Sequence, residues 1–146
     1  MPRTHELPTP SDFCALVARQ LDWSELDTLG HANNARYFTW FEEARMRYFQ
    51  GVGVPVDDGL GWGPILAHTE CNFLAPVTWP ASLLLGARTR SVGQSSLKME
   101  YAVFVEGAEG AQCVATGAGV IVLLRYETGE KILIDDELRA KLLNIA

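Results

Sequence analysis

Apolar and polar residues alternate near the start of the chain, which predicts a strand with one buried face. The inward positions of that strand are Phe13, Ala15, Val17, Leu21 and Trp23. Arg19 interrupts the inward series, which indicates a strand edge or a bulge. Between Trp23 and Asn33 the chain becomes polar and contains Gly30, so we expect a structured loop there.

The period then changes to that of a helix, predicted from about Asn34 to Gln50. Its apolar stripe is Tyr37, Phe41, Ala44 and Tyr48, widened by Phe38, Trp40 and Phe49. A stripe this wide is typical of a helix surrounded by other structure, so core packing explains the rings. Asn33 is the predicted N-cap, and Gly51 and Gly53 are the predicted stop.

Four strands are predicted after a loop over residues 52–63 that is rich in Gly, Pro and Asp. The strands span residues 65–74, 81–91, 95–105 and 111–126. The first alternates, with one face formed by Ile65, Ala67, Thr69, Cys71 and Phe73. The last is apolar on both faces, which predicts a central strand, and Gly117 and Gly119 within it indicate a bend or a close approach. Asp135 or Asp136 is placed to cap a short final helix through Leu143.

One helix followed by a run of antiparallel strands predicts an α+β fold in which the sheet curls around the helix. The length of 146 residues suits a single domain, expected over residues 13–146, and no linker or internal repeat divides it. Residues 1–12 are expected to form a flexible lead-in, in which Pro8 and Pro10 prevent helix.

Composition narrows the function classes. The chain has 12 basic and 18 acidic residues and a net charge of −6, without a basic run, so we expect no nucleic-acid partner. Cys14, Cys71 and Cys113 lie in apolar runs without CxxC or zinc-site spacing, which predicts three buried thiols and no metal site. The sequence has no signal-peptide core and no run of about 18 apolar residues. We therefore expect a cytoplasmic protein with no membrane partner and no cofactor.

Familiar catalytic motifs are mostly absent. The sequence has no GxSxG elbow and no Walker loop. The GxGxG of residues 59–63 follows no predicted strand, so dinucleotide binding is not expected. His68 lies in the middle of a predicted strand, where a satisfied histidine is commoner than a catalytic one. Ser95 and Ser96 are explained by the turn that contains them.

A carboxylate precedes the predicted helix start by a few residues, because Asp27 is separated from Asn34 by a turn containing Gly30. The first N–H groups of a helix lack intrahelical acceptors and carry the positive end of its dipole. They could hold a carbonyl oxygen that becomes anionic, while Asp27 acts as base or nucleophile. From the spacing alone, ordinary turn and cap roles for Asp27 and Asn33 are the simpler explanation.

Residues 27–38 have the sequence Asp-Thr-Leu-Gly-His-Ala-Asn-Asn-Ala-Arg-Tyr-Phe. This run favours a catalytic role for Asp27 over an ordinary turn role. Together with Trp40 to Arg45, it closely resembles the hot-dog-fold acyl-CoA thioesterases of the 4-hydroxybenzoyl-CoA thioesterase type. Their pattern is an aspartate, then G-H-x-N-N, then an aromatic helix often containing F-E-E-A-R. The turn from Gly93 to Leu97 resembles a later G-x-S-S/K turn of that family. Glu25 departs from the pattern, since many members have an aspartate there, but it keeps a carboxylate.

The resemblance implies a fold and roles for individual residues. The fold is a long central helix wrapped by a curved five-stranded antiparallel sheet, paired into homodimers or homotetramers. Asp27 matches the catalytic aspartate, the nucleophile or general base, and Asn34 stands where the helix-start N–H polarises the thioester carbonyl. Gly30 matches the glycine that turns the loop into the helix. His31 and Asn33 match residues to which we assign the shaping of the loop.

Two helix carboxylates are rivals to Asp27, because another branch of hot-dog thioesterases uses a glutamate on the central helix. Glu43 has Arg47 one turn on, and Glu42 has Arg45 three residues on. Ion pairing along the helix is the simpler explanation for both. We therefore keep Asp27 as the catalytic carboxylate.

The implied reaction is hydrolysis of an acyl-CoA thioester to a free carboxylic acid and CoA. CoA carries phosphates, and the nearest candidates to bind them are Arg88 and Arg90 before the Gly93 turn, with Lys98 after it. Solvated surface charge explains these cations equally well. The alternative function is a non-catalytic acyl-CoA-binding module, and we find no His/Asp or His/Glu arrangement of a hot-dog hydratase. Release of free thiol from a panel of acyl-CoA esters separates a hydrolase from a binding module.

Overall fold

The protein is described by a computed structural model over residues 6–57 and 59–144. The strands within these residues are β1 (Ala15–Gln20), β2 (Trp62–Phe73), β3 (Ser82–Val92), β4 (Ser96–Gly107) and β5 (Gly110–Arg125). The α-helices are α1 (Arg36–Val52) and α2 (Asp136–Asn144). Two short 3₁₀ turns, Pro10–Asp12 and Trp23–Glu25, flank β1.

The strands form one antiparallel sheet in the order β1-β3-β4-β5-β2. Strand β5 is paired along both sides, as its two apolar faces predict, and β1 and β2 are the edges. The α1 helix packs on one face of the sheet, mostly against β1 and β3. The predicted α+β architecture, one long helix against a curved five-stranded sheet, is confirmed.

Contact between α1 and the sheet depends on the missing side chain at Gly117. The Phe41 ring stacks on the Tyr101 ring of β4, with centroids 4.9 Å apart. A Cβ at Gly117 would lie 2.4 Å from that Phe41 ring, and one at Gly119 would lie 3.0 Å from the Tyr101 hydroxyl. The predicted close approach at these glycines is confirmed, since Phe41 of α1 lies where a Gly117 side chain would be and Tyr101 of β4 lies where a Gly119 side chain would be.

The predicted helix stripe is largely confirmed. Its four principal positions are buried, as are Trp40 and Phe49. Phe38 differs, being 39% exposed, because it lies at the border of the stripe, where its ring is perpendicular to the Phe41 ring with centroids 6.1 Å apart.

Both predicted ends of α1 are partly wrong. The residue capping the helix start is Ala35, and Asn33 instead accepts the Ala35 N–H in a turn before the helix (3.0 Å). Gly51 lies inside the helix, because Val52 beyond it is still buried in the core. Gly53 ends the helix with a φ of 80°, the left-handed conformation that favours glycine.

The predicted first strand is too long at its end. Trp23 is 70% exposed rather than inward, because the chain leaves the sheet after Gln20 and enters a 3₁₀ turn. Arg19 lies on an edge strand, as the break in the pattern indicates. In β2 the alternation does not run through, because the register shifts between Leu66 and His68.

Of the three cysteines predicted to be buried, only Cys113 is. Cys71 is half-buried on an edge strand, and Cys14 is exposed before β1. Pro10 begins a 3₁₀ turn instead of preventing one, since proline is compatible with a first helical position. Residues 1–5 of the predicted lead-in lie outside the described residues.

The short helix α2 is fastened to the core. Asp135 caps it by accepting the Leu138 N–H (2.8 Å), which confirms one of the two predicted caps. The Tyr48 hydroxyl of α1 donates to the Leu142 carbonyl (3.0 Å) and accepts from the Thr89 hydroxyl (2.6 Å). Among the described residues, no helix is long and apolar enough to cross a membrane.

A buried carboxylate, that of Glu25, fixes the connection between β1 and α1. It accepts the Asp22 N–H (2.9 Å), the Trp40 indole N–H from α1 (3.0 Å) and a guanidinium N–H of Arg19 from β1 (2.9 Å). Arg19 also bonds Glu43 of α1. Burial raises the pKa of Glu25, but the hydrogen bonds from Asp22, Arg19 and Trp40 outweigh burial and hold that pKa below its usual value.

We predict that Gly117→Ala destabilises the protein by about 1–3 kcal/mol, the usual range for an overpacked core. The added methyl group would meet the Phe41 ring and, at 2.9 Å, the Glu70 carbonyl oxygen. Urea unfolding measures the change. The matched control is Gly51→Ala, whose methyl group would meet no atom within 4 Å and which should stabilise α1 by about 0.5–1 kcal/mol. Equal stabilities for the two variants would contradict this interpretation of the packing.

We predict that Glu25→Gln lowers the free energy of unfolding at pH 7 by about 1.5–3 kcal/mol, because charged hydrogen bonds are lost. The folded-state pKa of Glu25 is lowered, so its stabilisation is complete above the unfolded pKa of about 4.3. The difference between wild type and variant should therefore shrink as the pH falls below that value through the folded pKa. Denaturant unfolding from pH 7 to pH 3 measures it, with Glu109→Gln in an exposed hairpin turn as control. A difference independent of pH would argue against the charge as its cause.

Candidate active site

The connection between β1 and α1 folds back on itself, so that Asp27 lies opposite His31. The Asp27 N–H donates to the His31 carbonyl (2.7 Å), and the Asn33 N–H donates to the Glu25 carbonyl (2.8 Å). Gly30 makes the reversal with a φ of 80° and donates its N–H to the Asp27 carbonyl (3.1 Å). Gly30 therefore occupies a left-handed position at the tip of a narrow loop.

The Asp27 carboxylate is exposed and held by its own loop. Its Oδ1 accepts the N–H groups of Leu29 (2.8 Å) and His31 (3.2 Å). Among the described residues, Oδ2 has no hydrogen-bond partner. One oxygen thus orients the carboxylate, and the other is available to a water molecule or an electrophile.

The start of α1 leaves one backbone donor unused. The Ala35 N–H donates to the Asn33 side chain, and the Arg36 N–H to the Asn33 carbonyl (3.0 Å). The Tyr37 N–H donates to the Asn34 carbonyl (3.4 Å). The Asn34 N–H has no acceptor in the part of the chain that the structure describes. It lies at the positive end of the helix, where a carbonyl oxygen would be stabilised.

A cavity of about 310 Å³ joins the start of α1 to the end of β2. It is lined by His31, Ala32, Asn34, Tyr37, Phe73, Leu74, Ala75 and Pro76. Of the predicted site residues, His31 and Asn34 reach this cavity. Asp27, Gly30 and Asn33 belong to the adjoining loop but do not line it within one chain.

Two aromatic residues of this cavity, Tyr37 and Phe73, are absent from the sequence-based site prediction. Tyr37 is only 3% exposed, and its ring meets the Phe73 ring edge-on, with centroids 4.9 Å apart. Burial raises the pKa of the Tyr37 hydroxyl, with a smaller contribution from Cys71. The available signal for Tyr37 was its place on the first turn of α1, since helix side chains point back toward the N-terminus.

The three cations predicted to bind CoA do not lie together. Arg90 and Lys98 are exposed and line a second cavity of about 260 Å³, which also contains His68 and shares no residue with the first. Arg88 is engaged elsewhere, with its Nε 3.5 Å from Glu100 and its guanidinium 4.9 Å from the Phe13 ring centroid. One chain therefore presents Arg90 and Lys98 as available cations, and Arg88 as a partly paired one.

The predicted ion pairs along α1 are wrong. Glu43 pairs with Arg19 of β1 rather than with Arg47, because the edge strand crosses beside that helix face. Arg45 is buried and donates to the Tyr101 hydroxyl (3.3 Å). Glu42 is exposed and forms no ion pair among the described residues. We therefore interpret Glu43 as a structural partner of Arg19 and keep Asp27 as the candidate catalytic carboxylate.

Neither His68 nor a group of metal-ligating side chains forms a second candidate site among the described residues. His68 is exposed on β2, with its Nε2 3.7 Å from the Glu70 carboxylate. Over residues 6–57 and 59–144, no cluster of three His, Cys, Asp or Glu side chains is arranged to hold a metal ion.

Several known proteins are similar to this chain in sequence or in structure. Protein YsmA of Bacillus subtilis strain 168, which is uncharacterized, is 34% identical over 122 residues, covering 84% of this chain and 80% of YsmA. A thioesterase from Thermus thermophilus, crystallised with coenzyme A and Zn, is 31% identical with a TM-score of 0.76, covering 91% of this chain and 94% of that one.

The fold is shown by a further structure. A thioesterase-superfamily protein from Jannaschia sp. CCS1 superimposes with a TM-score of 0.86 at 23% identity, covering 99% of this chain and 96% of that one. The predicted hot-dog fold is thereby confirmed. Residues 21–142 match the thioesterase-like superfamily, and the chain belongs to that superfamily.

Proposed function

We propose that the protein is a cytoplasmic acyl-CoA thioesterase of the 4-hydroxybenzoyl-CoA thioesterase type, which hydrolyses an acyl-CoA thioester to a carboxylic acid and CoA. The observation that carries the proposal is the pairing, within one short segment, of an oriented Asp27 carboxylate with an unused Asn34 N–H. The similarity to the Thermus thermophilus thioesterase crystallised with coenzyme A supports a CoA thioester as the substrate class.

In the proposed reaction, the Asn34 N–H binds the thioester carbonyl oxygen. As the carbonyl carbon is attacked, its oxygen becomes an anion, and the positive end of α1 stabilises that charge. The thioester needs no strong nucleophile, because thiolate is a good leaving group. A carboxylate together with one polarising N–H is therefore sufficient for this chemistry.

Asp27 acts through Oδ2 by one of two routes. As a general base, it takes a proton from water while the water oxygen bonds to the carbonyl carbon and the C–S bond breaks. As a nucleophile, it forms a mixed anhydride that water then hydrolyses. In both routes CoA leaves as the thiolate and takes up a proton. Gly30, His31 and Asn33 shape the loop that holds the carboxylate.

We further propose that the protein assembles into homodimers or homotetramers through the exposed edge of β2. Large apolar side chains there are 41–50% exposed, namely Ile65, Leu66, Phe73 and Leu74. An unpaired apolar edge strand is suited to pairing with another chain. Because Phe73 and Leu74 also line the cavity, a second copy placed on β2 would add a wall to the site.

The CoA phosphates require nearby cations, because the protein has a net charge of −6 and does not attract anions in general. Arg90 and Lys98 share one cavity and form no ion pair with the described carboxylates. Arg88 precedes the register shift at Arg90 in β3 and lines a different cavity, and it already has Glu100 as a partner. We propose Arg90 and Lys98 as the principal phosphate contacts and Arg88 as a weaker one.

One observation favours the second candidate, a non-catalytic acyl-CoA-binding module. Within one chain Asp27 does not line the cavity that contains Asn34. A binding module would take up acyl-CoA esters without releasing thiol, whereas a hydrolase releases it.

Asp27→Asn should lower thioesterase turnover by about 10²–10⁴-fold, because a general base or nucleophile is lost. The amide oxygen can still accept the Leu29 and His31 N–H groups, so folding should be unchanged. Thiol release from an acyl-CoA panel measures turnover. The matched control is Asp57→Asn, since Asp57 also accepts an N–H two residues on, from Gly59. Turnover near that of wild type in Asp27→Asn would overturn the assignment.

Charge reversal at Arg90 and Lys98 together should raise the KM for acyl-CoA about tenfold, equivalent to about 1.4 kcal/mol, with little change in kcat. The difference in KM between wild type and variant should become smaller at high salt, because exposed charges are screened. Reversal of Lys131 and Lys141, both exposed, changes the net charge equally and is the control. An unchanged KM in the Arg90 and Lys98 variant would exclude these residues from phosphate binding.

A further inference from the structure

We propose that the Tyr37 hydroxyl selects acyl groups that carry a hydrogen-bond acceptor, because it is an unused donor at the wall of the cavity beside Asn34. The inference rests on the proposed acyl-CoA substrate class. It adds a specificity-determining residue, and a chemical requirement on the acyl group, to the reaction.

The Tyr37 hydroxyl is unusual among the buried tyrosines of α1 and the sheet. The hydroxyls of Tyr48 and Tyr101 each have a hydrogen-bond partner, Thr89 and Leu142 for the first and Arg45 for the second. The Tyr37 hydroxyl has no partner among the described residues. Although Tyr37 is only 3% exposed, its hydroxyl oxygen is not one of the fully buried unpaired atoms of the described residues. The hydroxyl is therefore accessible and can donate to an acceptor that enters the cavity.

Packing fixes the Tyr37 ring and limits where its hydroxyl can turn. The ring lies between Trp40 and Phe73, with centroid separations of 4.7 and 4.9 Å. Only 3% of the residue is exposed, and it lines the cavity of about 310 Å³. The donor is therefore pre-oriented, and little conformational entropy is lost when it binds an acceptor.

Tyr37, in the first turn of α1, and Asn34, two residues before the helix begins at Arg36, contact the same cavity. Side chains of a helix point back toward its N-terminus, so Tyr37 projects toward the end of α1 that Asn34 precedes. An acyl group whose carbonyl binds the Asn34 N–H would extend into the space beside Tyr37. The two donors then bind different parts of one substrate.

The rest of the lining is largely apolar, with Ala32, Phe73, Leu74, Ala75 and Pro76. Its two other polar residues, His31 and Asn34, form no hydrogen bond with the Tyr37 hydroxyl among the described residues, and the lining contains no carboxylate or ammonium group. A purely apolar acyl group would exclude water and leave the hydroxyl unpaired. Sites built to hydrogen-bond a substrate discriminate against analogues that lack the acceptor for this reason.

The lining of the cavity narrows the acyl class further. The edge-on pair of Tyr37 and Phe73 presents aromatic surface to the cavity. Acyl groups that combine an aromatic ring with an ether, carbonyl or hydroxyl oxygen therefore match this lining.

The test compares the ortho, meta and para isomers of methoxybenzoyl-CoA with the corresponding ethylbenzoyl-CoA esters, which replace one oxygen by a methylene. In wild type, kcat/KM should favour the methoxy ester at least tenfold at one or more ring positions. Tyr37→Phe should bring that ratio close to one, chiefly by slowing the methoxy ester. Its thermal midpoint should be unchanged, because the ring contacts remain. Tyr126→Phe makes the same chemical change at a tyrosine outside the cavity and should keep the wild-type ratio.

The outcomes separate this inference from the proposed function. If thiol is released but Tyr37→Phe keeps the wild-type ratio, or slows all esters equally, selection by Tyr37 is overturned while the thioesterase assignment stands. If wild type releases no thiol from any ester, the thioesterase assignment fails. Calorimetric binding of the same esters then decides the inference: a methoxy preference lost in Tyr37→Phe supports it, and equal preferences in the two proteins overturn it.

Discussion

The seating of α1 on the sheet is the contact on which the rest of the molecule depends. Phe41 can stack on Tyr101 only because β5 has no side chain at Gly117. This contact sets how deeply the helix sits in the sheet, and therefore where the first turn of α1 lies relative to β2. A close-packed core tolerates little displacement of such an element. The cavity between Asn34 and Phe73 is a consequence of that geometry.

Hydrogen bonds to the buried Glu25 carboxylate fix the position of the loop between β1 and α1. Glu25 takes hydrogen bonds from β1, from α1 and from its own turn, so it joins the two elements on either side of the loop. The loop that follows needs little further support, because Asp27 binds its own backbone N–H groups. The position of the loop depends on a buried charge, while its shape depends on local turns.

Local and periodic features were predictable from the sequence, and contacts between distant segments were not. The stripe around Phe41 indicated the helix, and the glycines of β5 indicated a bend or a close approach in the last strand. The errors at Trp23 and Glu43 have a common cause: a pattern along one element does not say where a neighbouring element begins or crosses. The cavity joins Tyr37 to Phe73, which are far apart in the sequence, so no local motif could reveal it. The loop of the candidate site, by contrast, is contiguous and was recognisable by resemblance.

The contact between Phe41 and Gly117 also links the interior of the sheet to the cavity wall. Tyr37 lies one helical turn before Phe41 on the same face of α1, so the two rings move with the helix as one rigid unit. A substitution in the middle of β5 that shifts Phe41 would also shift the Tyr37 hydroxyl. Substrate preference in this architecture could thus drift during evolution through changes in the sheet, while every residue that lines the cavity stays the same.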